Sequence, residues 1–249
     1  MAETAGAEKV HSGAQAPRAF TSNPLITLWS TVIGKKIVMA VTGAVLVGFV
    51  IAHMVGNLKI FEGADAINTY AHFLRVVGMP ELGYGQLLWI VRSVLLLCVI
   101  LHIIAAWQLT LMNRAARPVD YKMRANQEST WASRTMRWGG VVLLIFIVYH
   151  ILHFTLGMVG FQPGEWQDLA VYRNVIAGFS LWPVSVFYII AMAALCLHLD
   201  HGIWSAIQTL GWNTQRNQGT LKILSSLIAV VIFLGFISVP VSVMAGWLR

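Results

Sequence analysis

Five blocks of apolar residues, each long enough to cross a lipid bilayer, constrain the fold of this chain more than any other feature. The hydrocarbon core of a bilayer is crossed by a helix of about 20 residues. Lipid offers the backbone no hydrogen-bond partners, so such blocks must be helical, and the sequence lacks the short alternating segments of a membrane barrel. The sequence therefore predicts an all-α membrane protein, a bundle of five transmembrane helices over Ile37–Gly56, Leu87–Met112, Gly139–Met158, Trp182–Ile207 and Ile223–Trp247.

The composition excludes a water-soluble domain. Apolar residues make up 57% of the chain and charged residues only 11%, whereas a soluble domain carries about 25% charged residues. The net charge of +7 does not predict nucleic-acid binding, because the basic residues lie at the block ends and in the loops, as in membrane proteins generally. Cys98 and Cys196 both lie inside apolar blocks, which argues against the disulfide framework of a secreted domain.

The distribution of positive charge predicts the orientation. Five crossings put twelve of the 17 Lys and Arg residues on the same side as the N-terminus, which the positive-inside rule assigns to the cytoplasm. Residues 1–22 contain no apolar core and so do not resemble a signal peptide. We expect them to form a mobile cytoplasmic tail, followed by one transmembrane domain over residues 23–249. The basic loop over residues 113–138 is expected to contact anionic lipid.

Histidines inside the apolar blocks are the main functional clue, because ionisable residues within a membrane are costly and are usually functional. Four successive blocks each contribute at least one. Counted from the N-terminal side of the membrane, His53 and His150 lie 16 and 11 residues deep, beyond mid-span. His102 and His198 lie 10 and 9 residues deep, before mid-span. We call His53 and His150 the outer pair, and His102 and His198 the inner pair.

Two imidazoles at matching depth on facing helices are the arrangement that binds a porphyrin iron from both sides. Small residues in the first and fourth blocks would let a flat macrocycle approach the backbone, although they equally suit close helix packing. Asp200 is the only carboxylate within a block, and transporters usually carry several at membrane depth. An electron path is therefore favoured over a transporter or proton channel. The small residues are Thr42, Gly43, Ala44, Gly48, Ala191, Ala193 and Ala194.

Three segments carry a family resemblance. Gly34–Gly43, Ala52–Leu58 and Cys196–Ser205, together with the Tyr149–His150 pair, resemble the cytochrome b subunit of bacterial succinate dehydrogenases that have a single five-helix membrane anchor. Some fumarate reductases of this fold place a carboxylate where this chain has Cys196, so a proton route of that kind is not expected here.

The resemblance implies an anchor in a bacterial inner membrane that does not oxidise succinate by itself. A flavoprotein subunit would oxidise succinate and an iron–sulfur subunit would pass electrons to the anchor, which would reduce a membrane quinone through two b-type haems. Matched position by position, His53 and His150 would bind the outer haem, and His102 and His198 the inner one. A higher oligomer of the complex is compatible with this picture.

Other ligand sets stay open. His153 matches the depth of His53 better than His150 does, and His201 follows His198 by three residues; each is expected to be a hydrogen-bonding or packing residue rather than a ligand. Cys98 and Cys196 lie near the depth of the inner pair, so two Cys and two His could instead bind a Rieske-type iron–sulfur cluster. A dihaem subunit of another quinone-linked oxidoreductase is a further alternative.

The quinone site is weakly specified by sequence. A quinone needs an apolar slot and hydrogen-bond donors near its carbonyls. Candidates on the N-terminal side are Ser30, Thr31, Lys35, Arg134 and Trp138. A second site on the opposite side would draw on Glu81, Gln86 and Arg92.

Overall fold

The structure, a computed structural model, describes residues 23–116 and 131–249, without the side chains of residue 25 and residues 131–134. All regular structure in these ranges is helical. The five long helices are α2 (Val32–Leu58), α4 (Gln86–Ala115), α5 (Trp131–His150), α7 (Trp182–Thr209) and α8 (Gln218–Met244). Three shorter helices are α1 (Pro24–Ser30), α3 (Ala64–Val76) and α6 (Val171–Ser180). A 3₁₀ turn over Lys59–Glu62 follows α2, and a π-helical turn over Ile151–Thr155 follows α5.

The five predicted spans are confirmed, because all five long helices are long and apolar enough to cross a membrane. Their bounds differ from the apolar blocks. α2 begins five residues earlier than its block, at Val32, and α5 begins eight residues earlier, at Trp131, because helices extend into polar flanking sequence. Thr31 caps α2, its hydroxyl oxygen accepting a hydrogen bond of 2.9 Å from the Gly34 amide. The predicted N-terminal tail and most of the basic loop lie outside the described residues.

The three short helices were not predicted from the apolar blocks. α3 lies between α2 and α4, and α6 lies between α5 and α7, so the two occupy the same end of the bundle. They pack together, and the Tyr172 amide donates a 3.1 Å hydrogen bond to Oδ1 of Asn68. We call this end the α3–α6 end, and the opposite end, where α1 packs on α2, the α1 end.

The long helices do not all pack on one another. α2 packs along α4, α7 and α8, while α7 also packs along α5 and α8. Within the described ranges, α2 and α5 do not pack along each other, nor do α4 and α7. The backbones of these helix pairs are therefore spaced apart, which matters because they carry the outer and inner histidine pairs.

The outer surface is apolar, as expected of a protein in lipid. In water-soluble domains most large apolar residues lie inside, but lipid does not impose this arrangement. Large residues such as Ile33, Leu96 and Ile145 are more exposed than not, all on long helices. The best-packed interior lies towards the α3–α6 end, where Phe146, Tyr188 and their neighbours form the larger core cluster. A smaller cluster contains Met54, Leu199, Ala229 and Ile232.

A candidate pair of haem sites

The outer pair meets across the gap between α2 and α5. The ring centres of His53 and His150 are 5.8 Å apart and the rings are nearly perpendicular, at 79°. His53 also stacks on Phe49 of its own helix, at 5.3 Å, and lies 6.0 Å from the ring of Phe236 on α8. Two histidines that are 97 residues apart in the chain thus come together in an aromatic environment.

The inner pair meets across the gap between α4 and α7. The ring centres of His102 and His198 are 6.4 Å apart, with the ring planes at 54°. Glycines lie beside both rings: a β-carbon on Gly43 of α2 would lie 3.5 Å from His102, and one on Gly140 of α5 would lie 3.8 Å from His198. The backbones of α2 and α5 therefore approach the inner pair without intervening side chains at these positions.

The spacing of both pairs fits a haem iron. Two imidazoles bound to opposite faces of one iron have ring centres roughly 6 Å apart, since each metal–nitrogen bond is about 2 Å long and each nitrogen lies about 1 Å from the ring centre. The observed spacings are 5.8 and 6.4 Å. The donor set is also suitable, because neutral imidazole is a common axial ligand of haem iron. The residues present therefore fit two bis-histidine haem sites.

Thr42 places its hydroxyl beside Nδ1 of His102. Its side chain is 5% exposed, and its hydroxyl donates a 2.7 Å hydrogen bond to the Val38 carbonyl. With its one proton donated to Val38, the hydroxyl oxygen accepts a hydrogen bond from Nδ1 of His102, 3.2 Å away. In this arrangement His102 carries its proton on Nδ1, and the lone pair of Nε2 is available to a metal.

His198 has a polar atom without a protein partner. Its Nδ1 is buried and makes no hydrogen bond within the described part of the chain. Buried polar atoms are nearly always paired, so an unpaired one indicates a missing partner or a functional site. Such an atom on the ring that faces His102 is compatible with a ligand that the protein binds at this position.

The two pairs lie in separate layers. Along α2, Thr42 contacts the inner pair and His53 belongs to the outer pair, 11 residues further on. At 1.5 Å per residue this separation is about 16 Å. Both layers therefore lie within one membrane thickness of about 30 Å, with the outer pair towards the α3–α6 end.

His153 does not share the position of His150. It lies in the π-helical turn, is 0% exposed, and its Nδ1 is 2.9 Å from the hydroxyl of Tyr188. Its ring packs on Phe154 and Phe161, with centres 3.9 and 4.7 Å away. The structure thus assigns His153 a hydrogen-bonding and packing role, which matches the expectation, and the ring nearest His53 across the gap is that of His150.

The alternative cluster of two cysteines and two histidines does not form. In the described ranges, no three His, Cys, Asp or Glu side chains lie close enough together to bind a metal ion. Cys98 and Cys196 are half-buried free thiols on α4 and α7. The alternative of a Rieske-type cluster therefore gains no support from the structure. Cys196 precedes His198 by two residues and points to a different side of α7.

His201 is half-buried on α7, one turn beyond His198 and adjacent to Asp200. Asp200 itself accepts a hydrogen bond from the hydroxyl of Ser226 on α8. Asp200, the one carboxylate within an apolar block, therefore connects α7 to α8.

The quinone candidates at the α1 end have hydrogen bonds within the chain. The Ser30 hydroxyl donates to the Thr27 carbonyl at 2.7 Å, and Thr31 caps α2. Lys35 is 5% exposed, donates to the Trp29 carbonyl and lies 5.4 Å over the Trp29 ring. Trp138, at 77% exposure, faces outward, as interfacial tryptophans do. The Arg134 side chain lies outside the described residues, so the site stays a prediction.

On the opposite side, Glu81 and Gln86 are exposed and Arg92 is half-buried against the ring of Trp89, 5.1 Å away. The Gln86 side chain accepts a 3.0 Å hydrogen bond from the Gly83 amide, within its own turn. The three side chains do not form a polar cluster that points to a second quinone site.

Sequence reasoning missed Tyr188, whose hydroxyl lies 3.2 Å from Nδ1 of His150. It also missed the hydrogen bond between Thr42 and His102. In the sequence, Thr42 stands out only as a small residue. The position of Tyr188 in its apolar block could have indicated this contact. Tyr188 lies 19 residues from Ile207, in the outer half of the block. A tyrosine hydroxyl in an apolar span needs a hydrogen-bond partner.

Comparison with known proteins gives two matches. The family described as "Succinate dehydrogenase/Fumarate reductase transmembrane subunit" matches residues 110–237, about half of the chain. The "Succinate dehydrogenase cytochrome b558 subunit" of Bacillus subtilis (strain 168) is 26% identical over 193 residues, which cover 77% of this chain and 85% of that protein. No solved structure gives a significant match.

Proposed function

Because this chain belongs to the family of succinate dehydrogenase and fumarate reductase transmembrane subunits, we propose that it carries electrons between the iron–sulfur subunit of such a complex and a membrane quinone. As a member of this family it is a multi-pass membrane subunit of the enzyme complex and does not catalyse succinate oxidation alone. The relative from Bacillus subtilis is named a cytochrome b558 subunit of succinate dehydrogenase, which supports a haem-containing anchor in a bacterial inner membrane.

The observation that carries the proposal is the pair of histidine contacts across two separate gaps. His53 and His150 would bind one b-type haem, and His102 and His198 the other, at ring spacings of 5.8 and 6.4 Å. When bound, the two haems supply one-electron carriers at two depths of the membrane. The chain's own residues hold the imidazoles at these spacings, keep the sites apolar and, through Thr42, keep the proton of His102 on Nδ1.

The orientation predicted by positive charge gives the order of the two haem sites across the membrane. With the N-terminus in the cytoplasm, the inner pair lies nearer the soluble subunits and the outer pair nearer the opposite surface. Quinone binding at the α1 end would involve the candidates Ser30, Thr31, Lys35, Arg134 and Trp138. The flavoprotein and iron–sulfur subunits would bind at the same end, where the basic loops lie.

The proposal is tested in membranes that contain the complete complex. Succinate should reduce a b-type absorption band, and added quinone should reoxidise it. A His53→Leu, His102→Leu double variant serves as the control, and it should retain succinate oxidation by artificial acceptors while losing the band. A complex that passes electrons from succinate to quinone with no b-type band would contradict the proposal.

A further inference from the structure

The Tyr188 hydroxyl lies between two imidazoles. It is 3.2 Å from Nδ1 of His150 and 2.9 Å from Nδ1 of His153. Tyr188 comes from α7 and is 5% exposed, whereas both histidines come from the end of α5 and its π-helical turn. The three side chains thus form a hydrogen-bonded group in which Tyr188 and His153 are buried and His150 is half-buried.

The hydrogen bonds of Tyr188 can run in three ways. The hydroxyl has one proton and an oxygen that accepts, so it can donate to one imidazole and accept from the other, or accept from both. When Tyr188 donates to His150, the proton of His150 lies on Nε2. In the other two arrangements His150 donates to Tyr188, and its proton lies on Nδ1.

We propose that Tyr188 is a positioning residue that keeps the proton of His150 on Nδ1 and so directs Nε2 towards the iron of the outer haem. The inference rests on the proposed function. A neutral imidazole that binds iron through Nε2 must carry its proton on Nδ1. His150 therefore donates to Tyr188, and Tyr188 donates to His153, the shorter of the two hydrogen bonds.

Packing fixes the ring of His153. In this arrangement its proton lies on Nε2, which is buried and has no hydrogen-bond partner among the described residues. A β-carbon on Gly160 would lie 2.7 Å from its Nε2, and one on Gly178 would lie 2.6 Å from the same atom. The rings of Phe154 and Phe161 cover it further. His153 therefore presents Nδ1 to Tyr188 in one orientation only, and the wide π turn brings His150 and His153 to a common hydroxyl.

The hydrogen bond has an electronic consequence. An imidazole whose other N–H donates to an acceptor is a more basic ligand, which favours the oxidised iron. Loss of the acceptor should therefore raise the midpoint potential of the outer haem. The inner haem, whose ligand His102 donates to Thr42 instead, should not respond.

The experiment is a potentiometric titration of the purified complete complex that carries Tyr188→Phe. The ratio of oxidised to reduced iron at a given potential should fall by up to about tenfold for one haem, which equals an upward shift of up to about 59 mV for a one-electron couple. Both haems should be retained. The electron paramagnetic resonance signal of the same haem should change, because its imidazole is no longer fixed by Tyr188.

Tyr149→Phe is the matched control. Tyr149 precedes His150 on the same helix, is half-buried and packs its ring 5.6 Å from that of His153. Removal of its hydroxyl leaves the hydrogen bonds of Tyr188 in place, so both midpoint potentials should equal those of the wild type. Equal shifts in Tyr149→Phe and Tyr188→Phe would overturn the proposal, because they would reflect the loss of any nearby hydroxyl.

The outcomes separate this inference from the proposed function. A wild-type complex without haem would refute the function itself, whereas two haems with unchanged potentials in Tyr188→Phe would refute only the role of Tyr188. If Tyr188→Phe fails to assemble, Tyr188→Gln and Tyr188→Leu replace it. The glutamine offers a carbonyl oxygen to the His150 N–H and should keep the potential near that of the wild type, whereas the leucine offers no acceptor and should raise it. Identical potentials in both variants would overturn the proposal.

Discussion

Replacement of Thr42 by Val removes the hydroxyl that contacts Nδ1 of His102, with almost no change in side-chain volume. Thr42 is 5% exposed, and its oxygen lies 3.2 Å from Nδ1 of His102. The Val38 carbonyl, to which the hydroxyl donates, lies four residues earlier in α2, so it also accepts the backbone hydrogen bond of residue 42 and stays satisfied. The substitution therefore acts mainly on His102.

Two independent arguments give the same size of effect. A buried N–H left without a partner costs about 1–3 kcal/mol. Loss of a hydrogen-bond partner behind a metal-binding histidine typically lowers metal affinity by about 10–100-fold, which corresponds to about 1.4–2.8 kcal/mol. We therefore expect Thr42→Val to release the inner haem about 10–100-fold more readily and to leave the outer haem in place.

The assay is the transfer of haem from the detergent-solubilised complex to an excess of a haem-binding apoprotein, followed by absorbance. Thr42→Ser should behave as the wild type because it retains the hydroxyl. Thr110→Val is a second control: the Thr110 hydroxyl donates to the Ala106 carbonyl within α4 at 2.8 Å and is not bonded to a histidine. Haem transfer from Thr42→Val at the wild-type rate would refute the reasoning.

Three further predictions follow from single contacts. His198→Leu should lower the haem content from two to one per chain, as measured by haem extraction, whereas His201→Leu should keep both haems. If His198→Leu keeps both haems, His198 is not a ligand. Asp200→Ala should lower the free energy of unfolding by about 1.5–3 kcal/mol in a detergent melt. The double variant Asp200→Ala, Ser226→Ala should lose little more, because both substitutions remove the same hydrogen bond. Fully additive losses would contradict this. Gly178→Ala should cost about 1–3 kcal/mol in the same melt, because its β-carbon would meet His153 at 2.6 Å; an unchanged melting temperature would refute the tight packing there.

The long helices were predictable because lipid imposes their length and composition. The five spans could be read from apolar blocks alone, and counting residues along them predicted which histidines share a depth. The histidine contacts follow the same logic: residues at equal depth on facing helices meet, as His102 and His198 do across 96 residues of chain.

What the sequence did not predict lies in features that depend on tertiary contacts. α3 and α6 carry too few apolar residues to stand out as spans, and they form because each packs on the other at one end of the bundle. The shared hydroxyl of Tyr188 depends on the π turn, which no local pattern indicates. The alternative set of Cys98 and Cys196 with two histidines could not be judged from depth, because equal depth does not fix the direction in which a side chain points around its helix.

The central claim is that four histidines form two separate metal-binding pairs, and haem quantitation tests it most directly. The pyridine haemochrome of the purified complex, combined with a protein assay, gives the number of b-type haems per chain. The account predicts two in the wild type and one in each of His53→Leu and His102→Leu, with different bands lost from the reduced-minus-oxidised spectrum. A wild-type complex with no haem, or the loss of the same band in both variants, would contradict it.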